Sequence, residues 1–142
     1  MRTWLCPVKP KSWRITKREN LIGVSSIGRK LLEHVSAGDY VICYVLNPGD
    51  GVVAVCQAVS PMFFDKKDFW GPNRFPYRIR VRVMAQFSPK LPLSHFLGRI
   101  GDKREFEIVP YMRGVEIVEL IGTVHKKVIE LVEDVDAHMD KA

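Results

Sequence analysis

The sequence predicts an α+β fold, a strongly curved mixed sheet or small barrel of five to six strands with covering helices. Short apolar or alternating runs recur at close spacing and are separated by Gly- and Pro-rich turns. Helical spacing of apolar residues is clear in only two places, once in the first third of the chain and once at its end. No repeat, low-complexity tract or linker divides residues 1–142, so we expect a single domain.

The N-terminal half contains strand patterns on either side of one helix pattern. The predicted strands are Thr3–Val8, Tyr40–Leu46 and Val52–Val59. Prolines 7 and 10 are expected to end the first strand, and residues 47–51 have the composition of a hairpin turn between the other two. Ser25 or Ser26 can cap the helix. The apolar face of this helix is predicted to comprise Ile27, Leu31, Leu32 and Val35.

The C-terminal half contains one well-defined strand, Tyr77–Val83, in which apolar and arginine side chains alternate. Tyr77 and the apolar positions 79, 81 and 83 then face one way, and arginines 78, 80 and 82 face the other. The remaining predictions are a loop over Lys66–Phe75, a short strand over Gln86–Pro92, a helical turn over Leu93–Leu97, a loop over 101–105 and a final helix capped by Thr123. Residues 114–121 fit either a strand or a helix.

Composition and cysteine usage are those of a soluble globular protein. Apolar residues make up 46% of the chain and charged residues 27%, and the apolar runs are too short to span a bilayer. No secretory signal is visible at the N-terminus. Cys6, Cys43 and Cys56 each lie in an apolar run, which predicts buried, reduced thiols. We therefore expect a cytoplasmic protein with no membrane partner.

Positive charge is concentrated in the first 115 residues, where 19 Lys and Arg outnumber nine acids. Such an excess of Lys and Arg over Asp and Glu is typical of proteins that bind a polyanion such as nucleic acid. It is equally compatible with an ordinary solvated surface. Charge alone therefore leaves both interpretations open.

Catalytic and metal-binding motifs are lacking in the sequence. The four histidines are isolated, no Cys-x-x-Cys pair occurs, and no nucleophile elbow or phosphate-binding loop is found. We expect no metal, no cofactor and no catalytic residue. An enzyme remains an alternative, in which Asp65 would act with Tyr77 or His95.

Aromatic residues near cations are the strongest sign of a binding function. Trp13 lies among Lys9, Lys11, Arg14, Lys17 and Arg18, so it can stack on a base while the cations contact phosphates. It can equally be a core residue beneath a surface helix. Trp4 lies between apolar neighbours and is expected in the core. The segment 69–75 carries three aromatic residues in a predicted loop, which is an uncommon place for them.

An ordered set of residues resembles the EVE-domain proteins, small PUA-like proteins related in fold to the YTH readers of methylated adenine. The set comprises Trp4, Trp13, Asn20-Leu21-Ile22-Gly23-Val24, Gly38-Asp39, Tyr44, Phe63-Phe64-Asp65 and Pro76-Tyr77-Arg78. It extends from about Thr3 to Val83 and continues more weakly through the C-terminal helix. The resemblance implies a PUA-like barrel with a pocket for a modified nucleobase flipped out of its strand.

The resemblance also implies which residues surround the pocket. They are Lys9, Trp13, Ile22, Gly23, Val24, Ser25, Tyr44, Phe64, Asp65 and Tyr77. Ile22 stands where close relatives commonly carry tryptophan, so stacking worth about 1–3 kcal/mol per base is lost there. Either another aromatic residue, Trp70 or Phe75, replaces it, or this protein prefers a different ligand.

The leading hypothesis from the sequence is a non-catalytic protein that captures a modified base in DNA or RNA. Ser25, Asp65 and backbone groups near Gly23 would read the edge of the base. The flanking phosphates would be held by Lys9, Lys11, Arg14, Lys17, Arg78 and Arg80. The alternatives are a PUA-type accessory module that recognises structured RNA, a nucleotide-processing enzyme, and a small-molecule or protein-interaction module that uses the aromatic loop 69–75.

Overall fold

A computed structural model describes residues 1–45, 51–92, 116–120, 130, 132 and 133. Within these residues the chain forms, besides the helical residues 130, 132 and 133, seven strands and two helices. Their bounds are β1 Thr3–Val8, α1 Pro10–Glu19, β2 Leu21–Val24, α2 Arg29–Leu32, β3 Tyr40–Val45, β4 Gly51–Ala58, β5 Phe63–Phe64, β6 Tyr77–Leu91 and β7 Val118–Leu120.

The strands form one mixed, curled sheet, a half-barrel with the order β2-β6-β4-β3-β1-β7, and β5 pairs with β6 outside this path. β1 and β3 are parallel, while all the other pairs are antiparallel. The α+β class and the curved mixed sheet are therefore confirmed. The strand count is seven within the described residues, because β2 and β5 are too short to show a clear alternating pattern.

Helix α1 is not among the predicted elements, because Pro10 also fits the end of a strand. A surface helix over Trp13 is one of the two alternatives that the sequence leaves open, and the structure has this helix. Proline is favoured at the first position of a helix, where its missing N–H would have no partner in any case. Here Pro10 begins α1, and Lys17 and Arg18 lie in the last turn, where positive charge opposes the negative end of the helix dipole. Asn20 ends the helix with φ 57° and donates its backbone N–H to Thr16 O.

Strand β6 is the longest element and joins two predicted strands, 77–83 and 86–92, into one. Its first residues pair with β2 on one side and with β5 on the other, and its later residues pair with β4 through two register shifts. Such bulges bend a strand and increase its twist. A single bent strand therefore connects the two ends of the curled sheet.

The main core lies inside the curl of the sheet and contains both Trp4 and Trp13. The indole N–H of Trp4 donates to Asp39 Oδ2 at 3.1 Å, and the buried Asp39 carboxylate also accepts from two backbone N–H groups. This explains the Gly38-Asp39 turn, since a buried indole needs a hydrogen-bond partner. The predicted core position of Trp4 is confirmed.

Helix α2 is shorter than the sequence predicted, and its expected apolar face is only partly buried. Leu32 and Val35 belong to the core, as predicted. Ile27, however, is 80% exposed and precedes the helix, and Leu31 is also exposed. A helix of one turn has only one side to pack, so it cannot bury all four apolar positions.

The three cysteines are free and buried, as predicted. Burial raises the pKa of the Cys6 thiol to about 12, with the neighbouring Cys56 and Glu116 adding to the effect. The pKa of Cys43 is also raised, by its hydrogen bond with Cys56 and by burial. Neutral thiols at these pKa values are poor nucleophiles and act here as small core residues.

Several predictions from the sequence lie outside the described residues. They are the turn at 47–50, the helical turn over 93–97, the loop over 101–105 and Thr123 as a helix cap. Val118–Leu120 form a strand, which settles the ambiguity for that part of residues 114–121. Residues 130, 132 and 133 are helical, and Val132 is buried. None of the helices within the described ranges is long and apolar enough to cross a membrane.

Candidate functional site

A cleft of about 370 Å³, called the main cleft below, opens between the end of β1, helix α1, strand β2 and the loop that precedes β6. Its described lining consists of Cys6, Pro7, Val8, Lys9, Lys11, Ser12, Ile15, Thr16, Ile22, Gly23, Trp70, Arg74, Phe75 and Glu116. This volume lies within the range of about 300–1,000 Å³ that is usual for small-molecule sites.

Helix α1 supplies one wall of the main cleft through Lys11, Ser12, Ile15 and Thr16. Residues 11 and 15, and likewise 12 and 16, are four positions apart, so the two pairs lie along one side of the helix. Trp13 points elsewhere: it is buried in the main core. Because successive helical residues are rotated by about 100°, the helix can place an indole in the core and hydroxyl groups in the cleft.

Strand β2 forms the floor of the main cleft, and its Gly23 is required because Phe75 and Trp70 lie too close to leave room for a side chain. A Cβ atom at this position would lie 2.9 Å from both Cβ and the carbonyl oxygen of Phe75, and 3.1 Å from Trp70 Cη2. Real Cβ atoms do not come this close to a backbone oxygen. The absence of a side chain therefore lets the aromatic loop lie directly against the strand.

Trp70 and Phe75 form the aromatic wall of the main cleft. Their rings are edge-to-face, with centroids 5.9 Å apart and planes at 86°, a favourable aromatic geometry. Trp70 is only 7% exposed because it also packs in a second apolar cluster with Ile15 and Leu21. Phe75 has a φ of 52°, a left-handed conformation that costs energy for a bulky residue. The surrounding contacts must therefore hold Phe75 in place.

Arg78 provides those contacts. Its Nε donates to Phe75 O at 3.0 Å, its Nη2 donates to Lys67 O, and its Nη1 lies 3.4 Å from Asp65 Oδ2. The guanidinium also lies over the rings of Phe69 and Trp70, 5.3 and 5.0 Å from their centroids. Burial lowers the pKa of Arg78, and the nearby carboxylates partly oppose this shift.

The expectation that Arg78 contacts phosphates is therefore wrong for this structure, where the side chain is only 1% exposed. Alternation along β6 predicted that arginines 78, 80 and 82 would share a surface. The segment between Asp65 and Phe75 folds over the first of these positions and uses its guanidinium as an anchor. Arg80 and Arg82 remain exposed.

The charges around the main cleft are mostly positive. Lys9, Lys11 and Arg74 are exposed at its rim. Glu116 is the one acidic side chain among the described residues that line it. The Glu116 carboxylate accepts hydrogen bonds from the backbone N–H of Ser25 at 2.6 Å and from its hydroxyl group. A cationic rim with one fixed carboxylate suits an anionic ligand that also carries a hydrogen-bond donor.

A second, more open cleft adjoins the main cleft and shares Arg74, Phe75 and Glu116 with it. Its other described lining residues are Ser25, Ser26, Asn73, Pro76 and Tyr77. Phe75 therefore separates two neighbouring depressions, with Trp70 on one side and Tyr77 on the other.

The structure brings together only some of the ten residues that the sequence assigned to the pocket. Those in the main cleft are Lys9, Ile22 and Gly23. Those in the second cleft are Ser25 and Tyr77. Trp13, Val24 and Tyr44 are buried in the protein and do not line the main cleft. Phe64 lies exposed on β5, and Asp65 is engaged with Arg78.

Among the cations assigned to phosphates, Lys11, Arg14 and Lys17 are exposed on α1 and Arg80 is exposed on β6. The cleft residues that the sequence did not reveal include Ser12, Ile15, Thr16 and Glu116. The first three required recognition of α1, which the proline at the first helical position would have indicated. Glu116 is far away in sequence, and no local pattern connects it with residue 25.

Three comparisons place this fold among known proteins. The EVE domain family model matches residues 2–110. The UPF0310 protein PH1033 of Pyrococcus horikoshii is 25% identical, with 76% of this chain and 84% of that protein covered. The structure of human THYN1, in complex with DNA containing 5-methylcytosine, aligns with a TM-score of 0.62 and 13% identity over 94% of this chain and 98% of that chain.

A YTH domain shares the same architecture. The structure of the Mmi1 YTH domain in complex with RNA aligns with a TM-score of 0.63 and 13% identity, and covers 99% of this chain and 81% of that chain. The PUA-like fold expected from the ordered residue set is thus confirmed. With a family model that covers most of its length, the chain belongs to the EVE-domain family.

Proposed function

We propose that this protein binds nucleic acid and takes a modified nucleobase into the main cleft. The observation that carries the proposal is the cleft itself, in which Trp70 and Phe75 stand beneath a rim of exposed cations. Two fold neighbours support the proposal, since human THYN1 was crystallised with methylcytosine DNA and the Mmi1 YTH domain with RNA.

The main cleft offers both apolar faces and polar groups to a base. Trp70 and Phe75 supply aromatic surface, which supports the hypothesis that they replace the tryptophan expected at position 22. Ile22 then forms an apolar floor that can contact an added methyl group. Stacking of this kind contributes about 1–3 kcal/mol per base.

The edge of the base would be read by different groups from those the sequence suggested. Asp65 pairs with Arg78, and neither Asp65 nor Ser25 lines the main cleft. Among the described residues of the main cleft, the hydroxyl and carboxylate side chains are those of Ser12, Thr16 and Glu116. A carboxylate accepts hydrogen bonds only, so Glu116 favours a base with an exocyclic amino group, such as cytosine or adenine.

Phosphates on either side of the base would meet the cations of α1 and the rim. Lys9, Lys11 and Arg74 surround the opening, and Arg14 and Lys17 continue the exposed positive surface along α1. Contacts to phosphate position a strand without reading its sequence. These cations therefore account for general affinity, and the cleft for selectivity.

Fluorescence anisotropy tests the proposal with single-stranded DNA and RNA of one sequence, carrying cytosine, 5-methylcytosine, adenine or N6-methyladenine at the central position. We expect tighter binding to one modified base than to its unmodified parent. Phe75→Leu should reduce that preference more than it reduces general affinity. Equal affinity for every modified and unmodified pair, with a correctly folded protein, would refute base capture.

Salt dependence separates the phosphate contacts from the cleft. Affinity should fall steeply between about 50 and 200 mM salt if several cations displace counterions. Flat affinity over this range would contradict the assigned role of the cations. Preference for folded RNA regardless of modification would instead favour a module that recognises RNA shape.

A further inference from the structure

A strip of two aromatic side chains flanked by two cations lies outside the main cleft, at the start of β6. We call Lys66, Phe64, Tyr77 and Arg29 the outer strip. Phe64 is 55% exposed, which is unusual for phenylalanine, and its ring lies edge-to-face against Tyr77 with centroids 5.4 Å apart. The two residues are direct partners across the β5–β6 pair, so the sheet fixes their spacing.

Cations flank both aromatic rings of the outer strip. Lys66 Nζ lies 5.8 Å from the centroid of Phe64, and Arg29 Cζ lies 5.5 Å from that of Tyr77. Arg29 also pairs with Glu33 at 3.0 Å, whereas Asp65, the acid next to Phe64, pairs with the buried Arg78. The nearby carboxylates are thus engaged with arginines. The strip therefore presents flat apolar surface together with positive charge.

The outer strip is continuous with the clefts through Tyr77. Tyr77 lines the second cleft, which shares Phe75 with the main cleft. Aromatic surface consequently extends from Trp70 through Phe75 and Tyr77 to Phe64. Among the described residues it extends away from the main cleft in one direction only, because the other described walls are α1 and the end of β1.

We propose that the outer strip is a stacking track for the single strand on one side of the captured base. Bases of the flanking nucleotides would lie on Tyr77 and Phe64, and their phosphates would face Arg29 and Lys66. Charge complementarity favours this occupant, since Lys66 pairs with no carboxylate among the described residues, and a phosphate would pair with it where an apolar protein surface would not. The inference rests on the nucleic-acid binding proposed above, but not on selectivity for a modified base.

Phe64→Ala tests the track, and Val59→Ala is the matched control. Val59 is an exposed apolar residue of similar accessibility, 49%, that lies outside the strip. The probes are nine-nucleotide DNA strands with central cytosine or 5-methylcytosine, and the free nucleosides. We expect Phe64→Ala to weaken binding of both strands by about 5- to 150-fold, the range that stacking of one base implies.

The same variant should leave the affinity for free nucleosides and the melting temperature unchanged, since the side chain is exposed. Phe64→Trp should restore binding to the strands. In the wild-type protein, abasic nucleotides on one side of the central base should reproduce the loss, and those on the other side should have no effect. Phe64→Ala should add nothing to the loss caused by the abasic nucleotides.

Unchanged strand affinity in Phe64→Ala would overturn the track, and so would an equal loss for free nucleosides. A change in oligomeric state without a change in strand affinity would assign the strip to a protein interface and also overturn it. Failure of base capture gives a different result, equal affinity for cytosine and 5-methylcytosine strands. The stacking track is tested by a different comparison, the affinity of Phe64→Ala against that of the wild-type protein for each strand.

Discussion

Arg78 and Arg80 provide a direct test of how the site is built, because they are two residues apart on β6 and look alike in the sequence. The structure gives them opposite environments. Arg78 is buried beneath the aromatic loop, whereas Arg80 is exposed over the ring of Phe63. We predict that Arg78→Met destabilises the protein and distorts the main cleft, and that Arg80→Met leaves the fold intact.

The size of the Arg78 effect follows from the groups that it would leave without a partner. Two carbonyl oxygens, those of Lys67 and Phe75, accept from its guanidinium. Both bonds are partly buried, and an acceptor left there without a partner costs up to about 1–3 kcal/mol. The lost charge-assisted bonds are partly offset because the cation no longer has to be desolvated. We therefore expect a loss of about 2–4 kcal/mol in the free energy of unfolding.

Arg78→Met should also change the shape of the main cleft, because Phe75 has a strained backbone that the hydrogen bond from Arg78 Nε helps to hold. Without this bond the aromatic wall is free to relax away from β2. The preference for a modified base should then fall, even where enough stability remains for folding. Arg80→Met should change stability by less than about 0.5 kcal/mol, as exposed substitutions do.

Urea denaturation and salt-dependent strand binding measure both effects. We expect Arg78→Met to lower the denaturation midpoint without changing the slope of log affinity against log salt. Arg80→Met should do the reverse and reduce the slope by up to about 0.7 for one lost contact with a single strand. If Arg78→Met were as stable as the wild-type protein and reduced the salt slope, the anchoring role would be refuted.

Three further predictions follow from the same site. Gly23→Ala should destabilise the protein by about 1–3 kcal/mol, since its Cβ would overlap Phe75, and should abolish the preference for a modified base. Denaturation measures the first effect and anisotropy the second. An unchanged base preference would contradict the close contact between Gly23 and Phe75. Replacing Lys9 and Lys11 together with Gln should weaken modified and unmodified strands equally and reduce the salt slope, and a selective loss for the modified strand would contradict a phosphate role. The pKa of Cys6 is about 12 in the folded protein and 9.0 without burial, so its contribution to stability is complete below pH 9 and is lost as pH rises toward 12. Cys6 alone should therefore lower the free energy of unfolding by about 1.4 kcal/mol per pH unit over that interval, in addition to the contribution of Cys43, whose pKa is also raised. The decrease should be less steep in Cys6→Ala, as denaturation at several pH values can show.

Local patterns predicted the sheet well, because each strand pattern reports which side of a segment is buried. The alternation over 77–83, the apolar runs of β1, β3 and β4, and the burial of Trp4 and the cysteines all follow from short-range sequence. Elements with few residues were missed or misplaced. β2, β5 and α2 owe their existence to long-range pairing and packing rather than to their own periodicity.

The candidate site was only partly predictable for the same reason. Trp70 and Phe75 were identified as possible replacements for the aromatic residue missing at position 22, and both line the main cleft. Trp13 was the leading candidate for stacking on a base, but helix α1 places its side chain in the main core. Glu116 enters the site through hydrogen bonds with Ser25, 91 positions earlier in the chain.

By itself, the sequence determined the α+β class, the family, the buried thiols and the basic, aromatic character of the N-terminal body. Those properties depend on composition, on short-range periodicity and on the order of a few residues. Only the tertiary structure decided which aromatic and cationic side chains meet. Arg78 and Arg80 have the same place in the alternating pattern, but the loop before β6 folds over Arg78 alone. The difference arises because burial depends on what packs against a strand, which the strand's own sequence does not encode.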